Sequence, residues 1–288
     1  MSASSQGAVV VTGASTGIGR VAALLLANKG YRVFAGVRRE EDARSLDAES
    51  SHCVSPLMLD VTDPRQITAA GRSVAEALGP EGGLNALVNN AGVIMPGPLE
   101  FMSVERVRKM FEVNTIGMVA VSQQFLPLLR KGRGRIVNVS TTGNAFALPL
   151  VAGYQAAKAA QDLLSQGLRR ELMTWDIPVS IVKPLVPRTP MWDKGFREAQ
   201  QTIDDMPADG RELYGPMLQR GLDFMRGRES RGVPPDHSAR LIVRAVEDRR
   251  PKNIYFANPV ASVLTFITRN TPAFMIDWAV RRFLFYRK

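Results

Sequence analysis

Tyr154 and Lys158 stand four residues apart in the stretch Tyr154-Gln155-Ala156-Ala157-Lys158. On a helix this spacing puts both side chains on one face, one turn apart. A free tyrosine loses its proton at about pH 10. A fixed ammonium beside it favours the phenolate and pulls that value down. A phenol tuned in this way can give or take a proton near neutral pH. The spacing by itself is common between helix neighbours. It gains meaning from a Ser/Thr cluster just upstream and a glycine-rich loop near the N-terminus.

The elements that must position the pair begin at that loop. Ala8 to Val11 is a short apolar run, followed by Thr12-Gly13-Ala14-Ser15-Thr16-Gly17-Ile18-Gly19-Arg20. Val21 to Ala27 then reads as a helix. Strand, glycine turn and helix form the context of a dinucleotide site. Glycines let the backbone approach a pyrophosphate, and the helix N-terminus supplies N–H donors and a positive dipole end. The spacing is Gly-x-x-x-Gly-x-Gly rather than the commoner Gly-x-Gly-x-x-Gly. The second strand, Tyr31 to Val37, runs into Arg38-Arg39 where an NAD site normally carries an acid for the ribose 2′-OH. A guanidinium there suits a 2′-phosphate through charge-assisted, bidentate hydrogen bonds. The expected cofactor is therefore NADP(H). The competing reading is a solvated arginine pair opening a surface helix, since Glu40, Glu41 and Asp42 follow.

Together these motifs resemble the short-chain dehydrogenase/reductase superfamily from about Ala8 to Phe256. The resemblance implies cofactor binding by Gly13, Ser15, Thr16, Gly17, Ile18 and Gly19. Asp60 and Val61, in Leu59-Asp60-Val61-Thr62, match the end of the third strand, where the Asp contacts the adenine. Asn90, Ala91 and Gly92 belong to the Asn89-Asn90-Ala91-Gly92 signature after the fourth strand. Asn114 matches the asparagine that holds a water in the proton relay. Tyr154 and Lys158 fall on the family's Tyr-x-x-x-Lys. Pro184 and Thr189 match the segment that meets the nicotinamide. Gly97-Pro98-Leu99-Glu100, Gly134 to Ser140 and Leu168-Arg169-Arg170-Glu171-Leu172 are similar to the retinol and hydroxysteroid dehydrogenases. The superfamily's members are commonly dimers or tetramers, so a homo-oligomer is expected.

Two positions depart from the family pattern. Counting back from Tyr154, the catalytic serine position holds Thr141, whose hydroxyl is equivalent but whose χ1 is stiffer. Ser140 is the alternative, although neighbours on a strand point to opposite faces. Leu185 follows Pro184 where the family has glycine, and leucine lacks glycine's backbone freedom. The implied chemistry is hydride exchange between a nicotinamide and an alcohol or carbonyl carbon. Tyr154 would be the acid/base, with Lys158 lowering its pKa and holding the ribose. Thr141 would bind the substrate oxygen, and Asn114 would anchor a water.

The chain has 288 residues, 45% of them hydrophobic, enough for one large α/β domain. Strand-like runs at Gly7–Thr12, Tyr31–Val37, Ser55–Asp60, Leu84–Asn89, Gly134–Ser140, Val179–Lys183 and Asn253–Phe256 alternate with helical ones. This predicts a doubly wound Rossmann sheet, parallel, with helices on both faces. The expected organisation is a dehydrogenase domain over residues 1–257, a substrate lid at 185–232 within it, and a helical extension at 258–288. In the lid stretch, Met and aromatic residues read equally as an adaptable apolar surface for a bulky substrate or as the core of a helix pair. One cysteine, Cys53, and two histidines, His52 and His237, supply neither a disulfide nor a metal cluster.

The net charge of +10 is uneven. Residues 249–288 hold eight Lys/Arg against Asp277 alone. With Val260–Thr268 and Phe274–Tyr286 apolar, the tail reads as an interfacial amphipathic segment, or as a helix packed on the domain or in a dimer interface. No nucleic-acid motif accompanies the charge, so no nucleic-acid partner is expected. Residues 1–7 lack the features of a signal peptide, and the expected location is cytoplasmic, peripheral to a membrane if the tail docks there. The leading reading is an NADP(H)-dependent oxidoreductase for a lipophilic alcohol, ketone or aldehyde. A 3-oxoacyl thioester reductase and a non-catalytic NADPH sensor are the alternatives.

Overall fold

The runs of Val, Ile and Ala that read as buried strands form one parallel sheet in the computed structural model, which describes residues 6–50, 53–185 and 188–285. His52, Arg287 and Lys288 lie outside the described residues. The strands are β1 (Ala8–Val11), β2 (Arg32–Val37), β3 (Val54–Met58), β4 (Ala86–Asn89), β5 (Arg135–Val139), β6 (Val179–Lys183) and β7 (Ile254–Phe256). Their spatial order is β3-β2-β1-β4-β5-β6-β7, and every pairing is parallel. The order reverses direction between β1 and β4, and such a switch point opens a crevice at the strands' C-terminal ends. Pro56 sits in β3, at the sheet edge, where its missing N–H interrupts no ladder.

Successive side chains of β1 and β2 go to opposite faces, as a pleated strand requires. Val9, Val11, Val33, Ala35 and Val37 join a core built with α1 (Gly17–Asn28), beside which α2 (Glu40–Glu49) lies, and with a helix near the C-terminus. Ala8, Val10 and Phe34 join a second core, under α3 (Pro64–Leu78) and a helix that follows β4. Asp63 caps α3 by accepting the Arg65 N–H, with Pro64 in the first turn. After β4 come α4 (Val104–Phe111), a π-turn at Glu112–Ile116, and α5 (Gly117–Gly132), the helix of the second core. The chain continues through α6 (Ala152–Glu171), α7 (Pro190–Asp205), α8 (Ala208–Ser230) and α9 (Pro235–Glu247), the last packing against α1 in the first core. α10 (Pro259–Asn270) and α11 (Ala273–Ala279) follow, with a π-helical segment at Val280–Phe285 after them.

The 185–232 stretch is mainly the helix pair α7 and α8. Met206 and Leu218 are buried against Leu150, and Leu222 and Met225 against Ala199. For these residues the core reading holds, because the two helices need an apolar seam of their own.

A buried polar ladder sets α5 and α6 against the sheet. Asn89 Nδ2 donates to Ser122 Oγ at 3.0 Å and to Asn138 Oδ1 at 2.9 Å. Asn138 Nδ2 donates to Ser165 Oγ at 2.8 Å. Asn138→Ala strands buried partners on both sides, at about 1–3 kcal/mol each. Thermal denaturation is expected to show a clear fall in Tm, with α6 displaced relative to β5.

Candidate active site

Two glycines shape the first half of the site. Gly13 and Gly17 have φ of +64° and +62°, a region L side chains rarely adopt. A Cβ on Gly13 would stand 2.8 Å from Ala91 Cα. Thr12 Oγ1 accepts the N–H groups of Asn90 and Ala91, at 3.0 and 3.1 Å, which binds the loop after β4 to the glycine loop. Asn90 Nδ2 returns bonds to the carbonyls of Thr12 and Gly13. Thr16, the N-cap residue of α1, provides no side-chain cap, and the first turn holds no acid. The N-terminal N–H groups of α1 are left for a ligand.

They open on a cavity of about 420 Å³. Gly13, Ser15, Thr16, Gly17 and Ile18 line one wall, and Val37 and Arg38 the end of β2. Asp60, Val61, Asn90 to Gly92, Thr189 and Met191 complete the lining, with Thr189 beside Gly17. Arg38, Lys109, Lys194 and Arg197 face this space against Asp60 and Glu198, and Glu198 is itself paired with Arg106 at 3.0 Å. A bare helix N-terminus, a glycine cradle and surplus cations fit the phosphates of a dinucleotide. Arg39 is placed differently from its neighbour. Its guanidinium binds the Asp42 carboxylate at 2.9 Å, and it is not among the cavity-lining residues. That hydrogen bond holds the Asp42 carboxyl below its ordinary pKa, with the Ser15 side chain and Lys194 acting in the same direction. Lys109 on α4 and Lys194 and Arg197 on α7 escaped sequence reasoning, because no local motif marks helices that pack beside a distant loop.

The second half is built on α6. Tyr154 and Lys158 lie in the same helix, and Lys158 is buried. Tyr154 packs with Met95, Met102 and Met110, and the Thr141 hydroxyl lies next to its own. Thr141 Oγ1 also accepts the Gly143 N–H at 3.0 Å, which fixes the Thr142–Asn144 turn. Ser140 is buried and its hydroxyl meets Asn144 Nδ2 at 3.4 Å. Thr141 is thus the hydroxyl that faces Tyr154. Gly92 joins the two halves, for a Cβ there would stand 2.8 Å from Asn114 Oδ1 and 3.7 Å from Lys158 Nζ. Asn114 sits in the π-turn, where its amide bonds the carbonyls of Val93 and Met110 and its oxygen accepts the Val93 N–H. It holds the Gly92–Val93 corner in place. Pro184 lies beside the catalytic-side turn, its carbonyl accepting from Thr142 Oγ1 at 3.2 Å.

The electrostatics differ from the sequence expectation. Burial pushes the Tyr154 phenol up to about 12; the neighbouring Thr141 hydroxyl opposes this, and Asp162 adds to it. Lys158 is held by neutral acceptors. Its Nζ donates to Val139 O and Gln161 Oε1, both at 2.8 Å. Burial depresses its pKa to about 8, with Asp162 partly restoring it. Beneath lies a buried ion pair that sequence reasoning missed: Lys183 Nζ to Asp162 Oδ2 at 2.6 Å. Lys183 also donates to Thr141 O at 3.3 Å and Asn144 Oδ1 at 2.8 Å. Asp162 is four residues past Lys158 and could have been sought on the same face; nothing in the β6 run marked Lys183.

The fold and this cavity define a Rossmann-type nucleotide-binding protein. The family described as short chain dehydrogenase matches residues 7–200. Mouse (Mus musculus) estradiol 17-beta-dehydrogenase 2 is 34% identical over 290 residues, covering 96% of this chain and 74% of the relative. Human (Homo sapiens) dehydrogenase/reductase SDR family member 9 is 31% identical, over 94% of this chain and 86% of the relative. A short-chain dehydrogenase from Streptomyces avermitilis superposes with a TM-score of 0.75 at 26% identity, covering 96% of this chain and 97% of that one. The chain belongs to the short-chain dehydrogenase/reductase superfamily, close to its retinol and hydroxysteroid dehydrogenase members, and is an oxidoreductase of alcohol and carbonyl groups.

Proposed function

We propose that this protein is an NADP(H)-dependent oxidoreductase that interconverts a lipophilic, retinoid- or steroid-like alcohol and its ketone or aldehyde. One observation carries the reading: Gly92 lines the cation-rich cavity within reach of Lys158, and Tyr154 packs against Met95 of the same lining with the Thr141 hydroxyl next to it. A nicotinamide dinucleotide would be held by the glycine loop, Arg38, Asp60, the Asn90–Gly92 segment and Thr189, and when bound it supplies or takes the hydride. In reduction the Tyr154 hydroxyl gives its proton to the substrate oxygen while the Thr141 hydroxyl donates a hydrogen bond to the same atom. In oxidation Tyr154 takes that proton back. The high pKa of Tyr154 keeps it protonated at neutral pH, the form reduction needs. Similarity to an estradiol dehydrogenase supports a bulky, apolar substrate. Exposed Leu163 and Leu164 on α6 support a homo-oligomer, which light scattering tests.

Absorbance of NADPH during reduction of steroid ketones, retinal and aliphatic ketones tests the activity. Tight NADPH binding without turnover on any of these would favour the sensor reading. Arg38 tests the cofactor choice. Arg38→Glu removes the cation and introduces the acid typical of NAD sites. The expected result is a rise of about tenfold or more in KM for NADPH, with KM for NADH unchanged or lower. Equal KM values for both cofactors in the parent protein would defeat the Arg38 argument.

A further inference from the structure

α10 is built inside out. It is anchored through the small side chains of Ala261 and Thr265, both buried. Its large apolar residues point away: Val260, Val263, Leu264, Phe266 and Ile267 are each 52–71% exposed. α11 continues the surface with Phe274, Met275 and Trp278, at 51–71%. Water-facing helices carry their polar residues outward, so this arrangement needs an apolar partner. The rim is basic. Arg269, Arg281 and Arg282 are exposed around it, and Asp277 is the single acid from residue 249 onward.

The same surface carries an open groove of about 790 Å³, lined by Thr271, Phe274, Met275, Trp278 and Val280 together with Phe146. Phe146 follows the Thr142–Asn144 turn, and its carbonyl accepts from Gln155, the neighbour of Tyr154. The apolar groove therefore borders the segment that carries Thr141.

We propose that α10 and α11 are a docking surface for an anionic lipid bilayer, and that the groove along α11 receives lipophilic substrate from the bilayer. The second half rests on the oxidoreductase reading; the first does not. No helix among the described residues is long and apolar enough to cross a membrane, and α10, at 12 residues, lies in the interface. Charge selects the bilayer over a second copy of the chain. A two-fold interface sets the same patch against itself. That would bring the basic rim of Arg269, Arg281 and Arg282 against its own kind, whereas anionic headgroups complement it.

Flotation of the full chain with phosphatidylcholine vesicles, with and without phosphatidylserine, tests this. The protein is expected to float with the anionic vesicles and to be released by high salt. Phe266→Ser/Ile267→Ser and Arg281→Glu/Arg282→Glu should each cut partitioning about tenfold or more. Neither pair touches the catalytic groups, so reduction of a short, water-soluble ketone should be unchanged in both. The KM for a long-chain ketone presented in vesicles should rise. Vesicle binding without turnover leaves the docking surface standing and removes only the catalytic reading. Protein that stays in solution with every vesicle overturns the proposal. If light scattering then shows a dimer that Phe266→Ser/Ile267→Ser dissolves, the face belongs to a second copy.

Discussion

Tyr154→Phe is expected to lower kcat by about 10²–10⁴-fold, the usual worth of a positioned acid or base. The change removes one hydroxyl from a half-buried ring packed against Met95, Met102 and Met110, so the shape of the pocket survives. The glycine loop and Arg38 are untouched, and NADPH affinity should stay within a few-fold of the parent. That split separates proton transfer from binding. The pH dependence gives a second check. With the Tyr154 pKa raised by burial to about 12, the phenol is protonated across the neutral range. Ketone reduction should therefore vary little with pH on account of this group, whereas alcohol oxidation, which needs the phenolate, should climb as pH rises. In the phenylalanine variant the climb should disappear. Turnover that survives the substitution would sink the proposed mechanism.

Lys183→Met is expected to be the most damaging change outside the catalytic pair. Lys183 and Asp162 expose 2% and 5% of their side chains. Removing one partner of such a pair leaves an uncompensated buried charge, at about 3–5 kcal/mol. For a domain of this size that corresponds to a fall in Tm of roughly 6 °C or more. Lys183→Met/Asp162→Leu removes both charges and should recover much of the loss, since an apolar replacement of a buried pair is often neutral. Activity should not recover with it. Thr141 O and Asn144 Oδ1 both lose their Lys183 donor, so the turn that presents Thr141 to Tyr154 loosens. The single variant has a pH signature. Asp162 already raises Tyr154 and Lys158, and Lys183 is the cation bonded to it. Left alone, the carboxylate raises Tyr154 further, so oxidation should need a higher pH. Arg269 is the other charge felt at Lys183 and does not replace the bond. Calorimetry with pH–rate profiles reads all of this. A Lys183→Met protein as stable as its parent would show that the pair has no structural role.

The strands were legible because a parallel sheet buried on both faces demands apolar, β-branched runs, and each of the seven lies within a few residues of its expected place. The glycine loop was legible because its backbone requirement is local: positive φ and no Cβ. Other features were ambiguous in one dimension. Arg38 and Arg39 are adjacent and chemically identical, yet one borders the cavity and the other is taken by Asp42. The hydroxyls of Ser140 and Thr141 are equivalent until the strand's alternation sends one inward and the other to Tyr154. The apolar residues of α10 read equally well as packed or exposed; their outward direction depends on which face the chain anchors after β7.

The amino-acid sequence by itself determined the sheet, the phosphate cradle and the order of the chemistry-bearing residues, because these rest on backbone propensity, side-chain period and short-range spacing. Tertiary structure alone decided the charge environment of the site. The Lys183–Asp162 pair, the hydrogen bonds that occupy Lys158, and the packing of α7 beside the glycine loop join residues far apart in the chain. Desolvation, which sets the Tyr154 and Lys158 pKa values, exists only once the chain is packed.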